Sequence, residues 1–246
     1  MNSSPETDAA SSERRRILDE YERRAREIEP DRYAPWQPSV ALARSERSRK
    51  AAVLLRKAGV FPGPGSACLE VGFGRGGWLT ELLVWGVPLR DLHGIDLDLS
   101  AVRAVAGRLE TSRLAVADAA EMPWASGSFK LVVASTVFTS ILDDGVRRAV
   151  AGEIARVLKP GGALLWYDFS FNNPGNRNVR KVSREELGRL FPELSGPVRT
   201  VGLAPPIARR VAPLSWLLAT ALEVVPWART HLLAVLVKEG NEEARR

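Results

Sequence analysis

What this chain has little of narrows it first. Among 246 residues there is one cysteine, Cys68, and only two histidines, His93 and His231. A lone thiol closes no intramolecular disulfide, which removes the stapled secreted scaffolds. Long hydrophobic runs are missing too. The most apolar stretch, Val211 to Trp227, is interrupted by Pro213, Glu223 and Pro226 and falls short of the roughly 20 apolar residues of a spanning helix. The opening MNSSPETDAASSERRR lacks the apolar h-region of a secretory signal, so the expectation is a cytoplasmic chain with no stable membrane insertion. Negative charge is in deficit: Lys+Arg total 35 against Asp+Glu 29, for a net +6 and a pI near 9.9. That balance accommodates an acidic partner, but no nucleic-acid motif accompanies it.

What is present is ordinary for a globular protein. Hydrophobic residues at 45% and charged residues at 26% exclude wholesale disorder and a fibrous chain. The length suits one α/β domain with appendages.

Residues 1–12 are small and polar and read as a disordered tail. Ser12 to Glu29 carries the pairs Asp19/Arg23, Glu20/Arg24 and Glu22/Arg26, whose four-residue spacing supports an exposed helix. A connector of Asp31, Tyr33, Pro35, Trp36 and Pro38 leads to a second helix from Ser39 to Ala58, stopped by Gly59. Residues 13–60 thus read as an N-terminal helical cap. From Ala67 short apolar runs alternate with helical stretches, the signature of βαβ units. Strands are predicted at 67–72, 92–96, 113–117, 129–135 and 162–169, with helices near 76–85, 99–110 and 143–158. A helix opened by the capping pair Ser183/Glu186 follows. Pro197 to Leu203 and His231 to Lys238 read as two final strands, separated by a mostly helical insertion at 205–227. The main domain is placed at 61–240 and a short tail at 241–246.

Glu70-Val-Gly72-Phe-Gly74-Arg-Gly76-Gly77 follows the first strand and opens a helix. Glycines there let the backbone approach a ligand that helix N–H groups face. The spacing also satisfies the dinucleotide fingerprint, so it does not separate NAD from S-adenosylmethionine. The second strand ends in Asp96, 24 residues after Gly72, where an acid suits ribose hydroxyls. The third ends in Asp118-Ala119, where an acid can accept from an adenine amino group. Such a third ligand position favours an adenosyl ligand over an extended dinucleotide. Asp143 and Asp144 read as a helix start, because no further carboxylate or histidine cluster accompanies them as a metal site would require.

Over about residues 40–170 the chain resembles the class I S-adenosylmethionine-dependent methyltransferases, and the remainder, with its TSILDD, WYDF, NNPGN, PPIARR and RTHLL segments, looks like a narrower small-molecule bacterial branch. The likeness rests on LEVGFGRGG, GIDLD, VADAAEMPWASGSF and Arg156-Val-Leu-Lys159-Pro160-Gly161-Gly162. Lys130 departs from the aspartate usual in the family's Phe-Asp-Leu-Val run, which puts local packing in question. The resemblance implies a Rossmann-like, mostly parallel sheet of seven strands with the last antiparallel, and helices on both faces. It implies S-adenosyl-L-methionine as cofactor, S-adenosyl-L-homocysteine as product, and no metal. Glu70, Gly72 and Gly74 would then face the methionine end, Asp96 with Leu97 the ribose, Asp118 with Ala119 the adenine, and Ser135 the methyl-delivery edge.

Methyl transfer from a sulfonium needs alignment and, for a weak nucleophile, a base. His231, at the start of the last strand, is the first candidate for that base, with Tyr167 and Asp168 at the end of strand five behind it. Thr136, Phe138, Asn172, Asn173 and Arg209 are expected to bound the acceptor. The expected activity is methylation of a small molecule, such as a secondary-metabolite or saccharide intermediate, by a monomer or homodimer. Two alternatives stay open: a nicotinamide-dependent oxidoreductase, for which no Tyr-x-x-x-Lys run is present, and a noncatalytic adenosyl-binding or membrane-associated module.

Overall fold

The computed structural model describes residues 5–110, 113–172 and 175–240. Five parallel strands form the centre of one sheet: β1 (Cys68–Val71), β2 (Leu92–Asp96), β3 (Leu114–Val116), β4 (Phe129–Ser135) and β5 (Leu158–Phe169), in the order β3-β2-β1-β4-β5. β8 (Arg229–Lys238) pairs antiparallel with β5. On its other side β8 carries both β6 (Leu194–Ser195) and β7 (Val198–Leu203). Ser195 lies opposite Val237 and Val198 opposite Ala234, so β6 and β7 are one outer strand broken at Gly196-Pro197. The seven-strand expectation counted that strand once and missed its first two residues. A Cβ at Gly196 would lie 2.0 Å from the Val235 carbonyl oxygen, which is why the break falls on a bare backbone.

Alternation along each strand sends side chains to opposite faces. Leu69, Val71, Val132 and Trp166 pack against α5 (Asp144–Val157) and α6 (Arg184–Leu190). Cys68, Leu131, Leu165 and Leu233 pack against α2 (Pro38–Lys57), α3 (Gly77–Val84) and α4 (Leu99–Leu109). Helix starts follow capping chemistry: Asp98, Asp143 and Ser183 accept from the backbone N–H of Ser100, Val146 and Glu186. Lys130 donates to the Gly161 carbonyl at 3.2 Å, so its departure from the family pattern is absorbed locally.

Three expectations are corrected. α1 (Pro5–Glu27) already begins at Pro5, so most of the segment read as a tail is helical, while residues 1–4 and 241–246 lie outside the described residues. β5 starts at Leu158 and runs through the Lys-Pro-Gly-Gly segment, four residues before the predicted start. The two N-terminal helices do not form one cap: α2 contacts β7, β8 and α7 (Pro205–Val211) as part of a face layer, and α1 alone crosses the carboxyl edge of the sheet. α7 and α8 (Trp216–Leu222) fill the insertion between β7 and β8.

Candidate functional site

The loop after β1 is held in left-handed backbone, with φ +61° at Gly72 and +49° at Gly74. Both conformations favour glycine. A Cβ on Gly72 would sit 2.9 Å from Val137 Cγ2, whereas the space above Gly74 is open. The loop is fixed from two strands. Asp96 Oδ2 accepts from Gly74 N at 2.7 Å, and its Oδ1 accepts from Asp98 N at 2.9 Å. Burial raises the Asp96 carboxyl above the ordinary aspartate range.

α3 begins after Gly76, which has no side chain to cap it. Glu70 reaches up from β1 instead and accepts from Leu79 N at 2.7 Å and Trp78 N at 3.4 Å, satisfying donors the first turn would leave orphaned. Burial pushes its carboxyl up to about 8 against the lowering effect of those hydrogen bonds. Thr136, just past β4, has φ +59°, a strained conformation for a β-branched residue.

These elements open into one cavity of about 1270 Å³. Glu70, Gly72, Gly74, Asp96, Leu97, Asp118, Ala119, Ser135 and Thr136 all line it. α1 forms the roof and is tied down at several points. Glu13 accepts from Leu142 N at 2.5 Å, Arg16 donates to the Ser140 carbonyl at 2.5 Å, and Glu20 accepts from Asn178 at 2.7 Å. Arg14 pairs with Asp118 at 3.0 Å, so the roof touches the acid read as the adenine acceptor.

Among the lining residues not singled out in the sequence, Tyr21 and Arg47 bear most on the site. Tyr21 of α1 faces the cavity, and burial, with Asp96 nearby, raises its phenol above the usual range. The apolar pair Ile17 and Tyr21, four residues apart on an otherwise charged helix, is the signal that marks its inward face. Arg47 of α2 also lines the cavity, its guanidinium 4.8 Å from the Trp78 ring and 5.2 Å from the Tyr167 ring. Arg47 Nε and Trp78 Nε1 are both buried without a hydrogen-bond partner.

The expected catalytic trio does not reach the cavity, nor do three of the acceptor residues. His231 stacks on Tyr167 with centroids 4.8 Å apart, both behind Arg47 on the α2 face. Burial, and secondarily Arg47, pushes His231 down to about 4, which makes it a weak base. Burial likewise holds the Tyr167 phenol above its usual range. Asp168 points to the opposite face, where its carboxyl, pushed up to about 7 by burial, accepts from Thr139 N, Phe169 N and the Thr139 hydroxyl. Phe138 is fully buried between Trp166 and Phe191. Asn172 accepts from Lys181 N, and Arg209 is exposed on α7; neither lines the cavity. Asn173 lies outside the described residues. Among the described residues no group of three or more His, Cys, Asp or Glu side chains is placed to hold a metal, and no helix is long and apolar enough to cross a membrane.

Residues 68–162 match the family model described as a methyltransferase domain. No curated protein matches the chain. Among solved structures, a 1,6-didemethyltoxoflavin-N1-methyltransferase from Burkholderia thailandensis, with bound 1,6-didemethyltoxoflavin and S-adenosylhomocysteine, is similar at TM-score 0.62 and 16% identity, covering 97% of this chain and 92% of its own. The geranyl diphosphate C-methyltransferase from Streptomyces coelicolor, with Mg2+, geranyl diphosphate and S-adenosyl-L-homocysteine, gives TM-score 0.60 and 17% identity over 86% of this chain and 88% of its own. A putative sarcosine dimethylglycine methyltransferase from Galdieria sulphuraria gives 0.61 and 16% over 78% and 85%. At these identities the likeness establishes a shared fold.

Proposed function

We propose that this chain, a class I S-adenosylmethionine-dependent methyltransferase, carries a methyl group to a small anionic acceptor held beneath α1. The observation that carries the reading is the size and lining of the cavity that these strand ends share. At about 1270 Å³ it exceeds the roughly 300–1,000 Å³ of a typical small-molecule pocket, which leaves room for an acceptor beside a cofactor. Its acids, Glu70, Asp96, Asp98 and Asp118, sit at or just after the strand ends, whereas seven arginines line it, of which Arg14, Arg23 and Arg24 already pair with Asp118 or Glu20. That asymmetry favours a carboxylate or phosphate on the acceptor.

The residues fit an adenosyl cofactor. Each Asp96 oxygen spends one lone pair on the backbone and keeps another for a ribose hydroxyl. Asp118 is reached by Arg14 through one oxygen, and its other accepts from Ala120 N at 2.8 Å. The open space at Gly74 admits close approach of a ligand. The unpartnered donors of Arg47 and Trp78 suit the cofactor's amino-acid carboxylate. When bound, S-adenosylmethionine supplies an electrophilic methyl carbon on a sulfonium. The chain's own part is to hold and align: Thr136 and Ser135 border the transfer edge, and Tyr21, whose phenol burial keeps protonated, lines the cavity from α1. With His231, Tyr167 and Asp168 withdrawn, positioning is the main catalytic contribution.

Calorimetry with S-adenosylmethionine, S-adenosylhomocysteine and NAD tests the cofactor, and release of S-adenosylhomocysteine over a panel of charged and uncharged small molecules tests the acceptor. Binding of the two adenosyl ligands and turnover confined to anionic acceptors are expected. NAD binding without S-adenosylhomocysteine binding, or a preference for uncharged acceptors, sinks the respective half.

A further inference from the structure

The insertion between β7 and β8 leaves an unusual share of its large apolar side chains outside. An amphipathic helix normally turns its large apolar side chains inward. Here the fully buried part of the underside is small: Ala208, Ala212, Ala219 and Ala228 pack with Leu203 and Leu42, and Ile207, Val211, Leu222 and Val225 are partly buried against them. Five other large side chains point to solvent, with Leu214 86% exposed, Leu217 81%, Trp227 76% and Val224 70%, and Trp216 about half exposed. Scattered exposed leucines need no explanation, but a contiguous patch does.

The charge on this surface has one sign. From Gly196 to Val237 the only acid is Glu223, and it is buried. Arg199, Arg209 and Arg210 are all exposed. We infer that the α7–α8 insertion is an interfacial docking surface for an anionic phospholipid bilayer, with Leu214, Leu217 and Trp227 entering the headgroup boundary and Arg209 and Arg210 facing lipid phosphates. Apolar and tryptophan side chains beside basic residues are the composition of such surfaces. A second copy of this chain fits less well, because a two-fold contact would set the same arginines against each other with no acid to neutralise them. The inference is independent of the acceptor. The insertion nevertheless sits at the reactive end of the sheet, since His231 near the start of β8 lies opposite Phe169, which lines the cavity.

The test is flotation of the full chain with large unilamellar vesicles of phosphatidylcholine alone, or with about 30% phosphatidylglycerol, near physiological ionic strength. Flotation with the anionic vesicles and at least tenfold weaker binding to neutral ones are expected. Leu217→Ser with Trp227→Ser should lower binding at least tenfold, as should Arg209→Glu with Arg210→Glu, with melting temperature unchanged. Quenching of the native tryptophans by brominated anionic lipid needs no variant and should accompany binding. Failure to float with anionic vesicles, absence of quenching, or binding indifferent to Leu217→Ser/Trp227→Ser overturns the inference. So does a dimer in light scattering that the same substitutions dissolve, which would give the patch to a second copy.

Discussion

Asp96 is the residue whose replacement separates ligand binding from loop support most clearly. Its carboxylate is buried and bridges two backbone donors, Gly74 N at 2.7 Å and Asp98 N at 2.9 Å, while its remaining lone pairs face the cavity. Asp96→Ala removes both functions. A hydrogen bond to a charged group contributes about 1.5–3 kcal/mol, so affinity for S-adenosylhomocysteine should fall about 10- to 100-fold. Two stranded N–H groups at about 1–3 kcal/mol each, partly relieved by water in the cavity, should lower stability by about 2–4 kcal/mol. Asp96→Asn keeps one acceptor and turns an NH2 toward the other N–H. It should fall between wild type and alanine in stability yet lose nearly as much affinity as alanine, because ribose hydroxyls ask for acceptors on both atoms. Titration calorimetry alongside urea melts measures the two quantities on the same samples. A folded Asp96→Ala protein that binds S-adenosylhomocysteine within about threefold of wild type would refute the assignment.

Gly72→Ala and Gly74→Ala share the cost of left-handed backbone, about 1–2 kcal/mol, but only the former meets Val137; denaturant melts should find Gly72→Ala the more damaging by about 1 kcal/mol or more. His231 is held near 4 in the folded chain against about 6.5 unfolded, so between those values the unfolded state binds the extra proton and stability rises with pH. His231→Gln should remove about 3 kcal/mol of acid destabilisation between pH 7 and 4 and leave S-adenosylhomocysteine affinity unchanged; an acid limb identical to wild type, or lost affinity, contradicts the withdrawn position. Because Arg14 and Tyr21 of α1 line the cavity, S-adenosylhomocysteine should slow tryptic cleavage in α1, and equal rates with and without it would reduce α1 to an appendage.

The central sheet and half of the site could be read in the sequence for local reasons. Glu70, Gly72, Gly74, Asp96, Asp118 and Ser135 sit at strand ends or in the turns after them, and topology sends every such turn of a parallel sheet to one edge. The misplaced residues are those for which the edge was right and the face was left open. Tyr167 and Asp168 are neighbours on one strand, so their side chains leave on opposite faces. His231 lies opposite Phe169 and therefore shares the face of Tyr167. Tyr21 and Arg47 come from helices, one over the edge and one on a face, whose docking depends on contacts far along the chain, such as Glu13 with Leu142, and no local pattern encodes that distance. The seven-strand count missed β6 because two residues are too short for any periodicity to register.

The broken outer strand bears on how copies of this chain meet in concentrated solution. An exposed sheet edge is a template on which a foreign strand can grow, and long flat edges recruit one another into aggregates. Here one edge is β3, three residues long. The other is split at Gly196-Pro197 into pieces of two and six residues, and the split holds a residue with no N–H to offer. The Pro197 carbonyl is already taken by Val235 N at 3.3 Å. An incoming strand would find its ladder interrupted after a few rungs on either side, so self-association by strand addition is disfavoured by the same kink that lets the sheet end where it does.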